Sequence, residues 1–222
     1  MNRKIAAIVA LLCMLAPAIA QPRLDSPEYQ LGVQGGVTAS MMHFSPRITQ
    51  SALNPHLGAT AGLVFRYNGH KYCGLQVELN WMERGWHETE TGYTRDLHYI
   101  ETPFLAHIYF GKRFRGYINI GPEIGALVYS AEHNRPEEDA RQYAHADNRF
   151  YWGAAGGAGM YGRSVAGCWQ LEARFAYGLG TLFNNAKADV FDNSNTMTLS
   201  LKLAWLWEFK QEKQRPEAGQ TR

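Results

Sequence analysis

Seven charged side chains recur within segments of alternating apolar and polar residues: Glu78, Arg84, Glu101, Glu123, Glu172, Arg174 and Lys202. Groups of these types can pair as ions, or they can line a path for a polar solute. Each falls on the polar face of a two-residue repeat, so a sheet closed on itself turns the set inward. A charge inside a narrow barrel needs a partner. The expected chemistry is therefore an ion-paired plug, with a gated pore or a small-solute site as the alternatives. Antiparallel pairing across residues 87–97 sets Arg84 opposite Glu101. Pairing across residues 182–195 sets Arg174 beside Lys202, and these two cations then require Glu172, Glu123 or Glu78 from across the lumen.

Other reactive types do not assemble into a motif. The eight histidines show no metal-ligand spacing. His133 and His145 share a stretch with Glu132, Glu137, Glu138, Asp139 and Asp147, which reads as a solvated acidic surface loop. The same loop is a candidate for divalent-cation, adhesion or receptor contact. Ser40 and His43 sit near one strand end, where a lipid hydrolase would place a serine and a histidine, but no acidic orienter completes them. No catalytic residue, metal ligand or cofactor is expected.

The elements that must position these residues are strands. Period-two alternation recurs in eight segments: Tyr29–Met42, His56–Tyr67, Tyr72–Trp86, His98–Phe110, Phe114–Ser130, Phe150–Gly162, Cys168–Thr181 and Thr196–Phe209. The sixth is rich in Gly and Ala and alternates poorly. The connections run long, short, long, short along the chain. This is the order of an up-and-down barrel with short periplasmic turns and longer outer loops. The fold class expected is all-β: an eight-stranded antiparallel up-and-down transmembrane β-barrel.

Aromatic residues mark the strand ends, as membrane interfaces favour. Tyr67, Tyr72, Phe114, Tyr161, Trp169, Trp207 and Phe209 lie near the short turns, with Tyr29 and Tyr109 close by. Trp86, Tyr129, Phe150 and Tyr151 lie near the long connections. Pro103 and Pro122 cannot donate to a ladder and fall nearly opposite each other, so a bulge or widened ladder is expected there. Parity beyond Pro103 is less secure, which weakens His107 as a lumen residue. A lateral opening for a lipid or peptide is the functional version of that bulge.

The chain is expected to divide into a signal peptide (1–20), an outer-membrane barrel (21–209) and a polar periplasmic tail (210–222). Arg3 and Lys4 precede an apolar run, and Ala18-Ile19-Ala20 fits a cleavage site. Losing the leader lowers Lys plus Arg from 22 to 20, equal to the 20 Asp plus Glu. A neutral mature chain gives no electrostatic case for nucleic acid. The 22 Gly and 28 aromatic residues (6 Trp, 12 Tyr, 10 Phe) suit strands with one apolar face. Cys73 and Cys168 open the third and seventh strands, on opposite walls, too far apart for a disulfide.

The segments GLQVELNWMERGW, YIETPFLAHIYFG, YINIGPEIGALVYS, GAAGGAGMYG and LEARFAYGLGTLFNN follow in order. Glu101 with Pro103, Gly121 with Pro122, and Arg174 with Tyr177, Gly178 and Leu179 resemble blocks of the PorT family. That family comprises eight-stranded outer-membrane barrels typical of the Bacteroidota. The resemblance implies a non-enzymatic integral barrel with a structural, surface-interaction or secretion-associated role. It also implies insertion by barrel-assembly machinery and periplasmic chaperones, with Phe209 as the terminal aromatic. Outer-membrane lipid and secretion-system components are the expected partners, and the barrel is expected to be a monomer. A small-solute or lipid transporter and a lipid-modifying enzyme are the alternatives.

Overall fold

The computed structural model describes residues 23–45, 53–88, 94–111, 114–133, 149–179 and 193–210. The expected leader, nearly all of the expected tail and the acidic stretch 134–148 lie outside them. Eight strands form: β1 (Arg23–Ser45), β2 (Leu53–His70), β3 (Cys73–Glu88), β4 (Thr94–Gly111), β5 (Phe114–His133), β6 (Phe150–Ser164), β7 (Gly167–Gly178) and β8 (Asn193–Lys210). Each pairs antiparallel with its chain neighbour, and β1 pairs with β8 to close a barrel. Most strands run beyond the alternating segment that betrays them; β7 instead stops at Gly178, before Thr181.

Alternation decides which way the sheet curls. Along β7, Trp169, Leu171, Ala173 and Phe175 are exposed while Cys168, Gln170, Glu172 and Arg174 are buried. The same inversion holds around the barrel: most Leu, Ile, Val and Phe point outward, with Val64, Leu97, Leu105 and Leu206 as buried exceptions, whereas Gln30, Arg66, Glu78, Asn119 and Lys202 are buried within. An outward apolar band around a polar interior is the arrangement a bilayer stabilises.

The ladder is staggered. Following Cα partners once round the barrel, Tyr29 leads to Tyr67, Leu75, Ala106, Ile120, Gly156, Phe175 and Leu199. Leu199 returns to Ala39, ten positions further along β1. Such a stagger tilts the strands by roughly 35–45°.

Of the bulge or widened ladder expected at the prolines, no bulge forms, and the β4–β5 ladder skips the pairs between them. Pro103 pairs with Glu123 and Ala106 with Ile120, so equal numbers of residues separate the two pairs on β4 and β5. Pro122 faces outward, and its missing donor interrupts the ladder without adding a residue. The shift on these strands lies between His98 and Tyr99. A second lies between Pro55 and Thr60, where β2 pairs with β3. Parity therefore persists past Pro103, and His107 is fully buried in the lumen.

Candidate functional site

The lumen contains three storeys of polar side chains, and the central one is built on Glu78. Its carboxylate accepts hydrogen bonds from Arg174 Nη1 and Nη2 at 2.8 and 2.6 Å. It also accepts from Gln34 Nε2 at 2.7 Å, Gln76 Nε2 at 2.5 Å and Asn80 Nδ2 at 2.9 Å. Lys202 Nζ lies 3.4 Å away. Arg174 turns its Nε to Glu172 Oε1 at 2.6 Å. Glu172 also accepts from Tyr117 Oη, Asn119 Nδ2 and Gln170 Nε2 at 2.9–3.0 Å. Since Glu78 belongs to β3 and Arg174 to β7, this pair spans the barrel between opposite walls.

Toward the short turns, Arg66 is wholly buried. Its guanidinium donates to Gln76 Oε1 at 2.9 and 2.6 Å, to Gln30 Oε1 at 3.1 Å, and to Gln170 Oε1. It also lies over the rings of Tyr161 and Tyr117, with its Cζ 5.0 and 5.6 Å from their centroids. Three amide oxygens and two aromatic faces thus solvate it. The amides of Gln76 and Gln170 then donate onward to Glu78 and Glu172. Below Arg66, Glu28 holds Arg115 Nη1 at 2.9 Å and also pairs with Arg163, tying β1, β5 and β6 together at the rim.

Toward the long connections, Arg84 Nη2 lies 2.9 and 3.0 Å from the two oxygens of Glu101 and 3.4 Å from Glu123 Oε1. Tyr151 donates to Glu123, and the Arg84 guanidinium carbon sits 4.4 Å from the Tyr151 ring centroid. Between the Glu28 rim and Arg95 at the far mouth, the described lumen contains four cations (Arg66, Arg84, Arg174, Lys202) and four anions (Glu78, Glu101, Glu123, Glu172). An apolar environment tolerates this because each charge is solvated by fixed donors or acceptors.

The structure brings the seven expected residues into the lumen but corrects their register. Arg84 faces Leu97, and Glu101 faces Asn80. The long guanidinium reaches Glu101 diagonally along the lumen. Lys202 faces Glu172, and Arg174 faces Ser200. Adjacent strands therefore carry opposite charges there.

Tyr72, Tyr129, Phe150, Trp169, Trp207 and Phe209 are exposed on the outer wall. Tyr67 packs there against Tyr29, the rings tilted by 41° with centroids 5.1 Å apart. The side chain of Trp86 lies outside the described residues. Tyr109, Tyr151 and Tyr161 instead face inward and are buried. Their hydroxyls contact His70 O, Glu123 and Arg115, which a lipid-facing position would not provide. Arg66, Glu28, Arg115 and Tyr117 belong to the network although they were not among the expected residues. Arg66 was within reach, since the outward parity of Leu57 to Phe65 puts position 66 inside.

Ser40 has neighbours the sequence did not reveal. His56 is its cross-strand partner, and His56 Nε2 lies 3.4 Å from Asp96 Oδ1. The Ser40 hydroxyl itself is occupied: Oγ donates to Gly85 O at 3.1 Å and accepts from Gly85 N at 2.9 Å. It clips β1 to β3. The side chain of His43 lies outside the described residues. Among the described residues, no cluster of three or more His, Cys, Asp and Glu can hold a metal ion. Cys73 and Cys168 are buried, free thiols.

A family model described as "Outer membrane protein beta-barrel domain" matches residues 19–184. No curated protein matches the chain in sequence. Among solved structures, OprG from Pseudomonas aeruginosa matches at 11% identity and a TM-score of 0.49, over 86% of this chain and 98% of that one. Ail of Yersinia pestis, in complex with a heparin analogue, matches at 14% identity and 0.44, over 81% and 99%. The outer membrane enzyme PagL matches at 11% identity and 0.43, over 78% and 98%.

Proposed function

We propose, since the chain belongs to the outer membrane protein beta-barrel domain family, that it is a closed, non-enzymatic barrel. In this reading it presents surface loops and supports envelope architecture or secretion. The observation that carries the reading is the Arg174–Glu78 pair, which joins opposite walls at the centre of the lumen. A small barrel leaves little free cross-section, and here side chains bonded across the lumen occupy it. Conduction would require breaking several charge-assisted bonds at once.

The purified barrel in a planar bilayer is expected to give no discrete conductance steps under conditions where a porin does. Steady unitary steps would sink the closed-lumen reading and favour a small-solute path.

The order of the blocks around Glu101, Pro122 and Arg174 supports a PorT-like role in secretion, with secretion-system components as partners. Removal of the leader near Ala20, insertion by assembly machinery and a monomeric state belong to the same proposal. The engaged hydroxyl of Ser40 supports the non-enzymatic part. A deletion strain is expected to show altered secreted protein and unaltered phospholipid and lipid A; the reverse outcome would favour a lipid-modifying enzyme.

A further inference from the structure

The outer wall has a gap in its apolar cover. Ile118, Ile120, Gly156, Ala173, Phe175 and Leu199 line an open notch of about 380 Å³ on the β5–β8 side. Gly156 faces outward, and a Cβ placed on it would meet nothing within 4 Å. Its neighbour Gly157 faces inward, where a Cβ would lie 2.7 Å from Glu172 Oε1. The wall is therefore bare backbone on both faces at this point. Asn119 and Arg174, whose side chains belong to the lumen network, also border the notch.

We infer that this notch seats one acyl chain of a phospholipid from the periplasmic leaflet. The notch lies within the continuous lipid-facing band, so bilayer hydrocarbon is what meets it. A notch left unfilled by hydrocarbon would forfeit dispersion contacts on its lining atoms.

Depth selects the leaflet. Outward residues lead from the notch through Leu171 to Trp169 on β7, and through Leu201 and Leu203 to Trp205 and Trp207 on β8. Trp169 and Trp205 stack at 6.2 Å, and Trp205 and Trp207 lie 4.0 Å apart. This three-indole cluster is at the short-turn end, which faces the periplasm in outer-membrane barrels. Indoles favour the headgroup boundary. Ala173 is four positions from Trp169, about 13 Å along the strand and roughly 10 Å in depth once tilt is allowed for. Half of a hydrocarbon core of about 30 Å is about 15 Å. The tail of a lipid whose headgroup sits at the indoles reaches the notch without crossing the midplane.

The test reconstitutes the full barrel in vesicles of phosphatidylethanolamine containing a small fraction with a diazirine at the end of one acyl chain. After illumination, labelled residues are mapped by mass spectrometry. Labelling is expected to concentrate on Ile118, Ile120, Phe175 and Leu199, several-fold above outward residues such as Leu63 and Leu79 on the opposite wall. Gly156→Leu puts a side chain into the notch, where its Cβ meets nothing within 4 Å, and should reduce the excess while leaving Leu63 and Leu79 unchanged. Leu199→Ala widens the notch and should raise it, which keeps the test decisive if the first variant folds poorly. Even labelling round the barrel would overturn the proposal. So would a crosslinked dimer through this wall, or labelling by a lipid A probe alone.

Discussion

Replacing Glu78 with alanine is expected to destabilise the barrel by about 3–5 kcal/mol, because it removes the buried carboxylate that Lys202 and Arg174 share. Lys202, 3.4 Å from Glu78, has Arg174 as a fellow cation. Arg174 retains Glu172 at 2.5 Å, so Lys202 bears the larger loss. Gln34, Gln76 and Asn80 also lose an acceptor. The measurement is the urea midpoint in detergent micelles, followed by the mobility difference between heated and unheated samples. Adding Lys202→Met to the Glu78→Ala variant should recover part of the loss, since removing the stranded charge removes its desolvation cost. An unchanged midpoint in the single variant would show that the lumen network is not what holds the centre shut. Glu123→Ala should cost less, about 1–3 kcal/mol, because Arg84 keeps Glu101. Before the geometry is known, Glu123 looks as costly to lose as any other acid. The second carboxylate on Arg84 separates the two cases.

The second large effect is expected at the closing seam. Gly32 on β1 faces Leu206 on β8, and Gly36 faces Lys202. A Cβ on Gly32 would lie 2.7 Å from the Leu206 Cα, and one on Gly36 would lie 2.9 Å from the Lys202 Cα. Both obstacles are main chain and cannot rotate away. Gly32→Val should therefore force β1 off β8 and destabilise the barrel by about 3 kcal/mol, the upper end for overpacking. That is roughly a hundredfold fall in the ratio of folded to unfolded protein. Because this seam joins the first and last strands, its failure leaves two unpaired edges in hydrocarbon. Gly156→Val is the control, since its side chain would enter open space. Equal folded yields from the two variants would refute the close-approach account.

The period-two pattern made the strand count and the facing of most residues readable from sequence, because one wrong step would turn a whole strand inside out. Register was less readable. Arg84 was expected opposite Glu101 and instead faces Leu97; Arg174 was expected beside Lys202, and Glu172 takes that place. Both displacements are even numbers of residues, so faces were preserved while neighbours changed. Turn position was the missing information: β3 and β4 continue to pair as far as His87 and Thr94, inside the stretch read as a connection. The inward tyrosines show a different limit. Tyr109, Tyr151 and Tyr161 occur where a membrane interface wants aromatics, and strand parity overrides that compositional cue. Arg66 was hidden for the converse reason, as a single cation at the end of an apolar run.

Strand length has a consequence for how the protein meets its surroundings. A transmembrane strand needs only about 9–11 residues, whereas β4 has 18 and β5 has 20. Eighteen residues at about 3.3 Å each, tilted by about 40°, rise roughly 45 Å against a hydrocarbon core of about 30 Å. Some 15 Å of hydrogen-bonded wall remains outside the oily layer. The barrel therefore carries its own pedestal, a stiff hydrogen-bonded rim held clear of the lipid, which has little chain entropy to lose on contact.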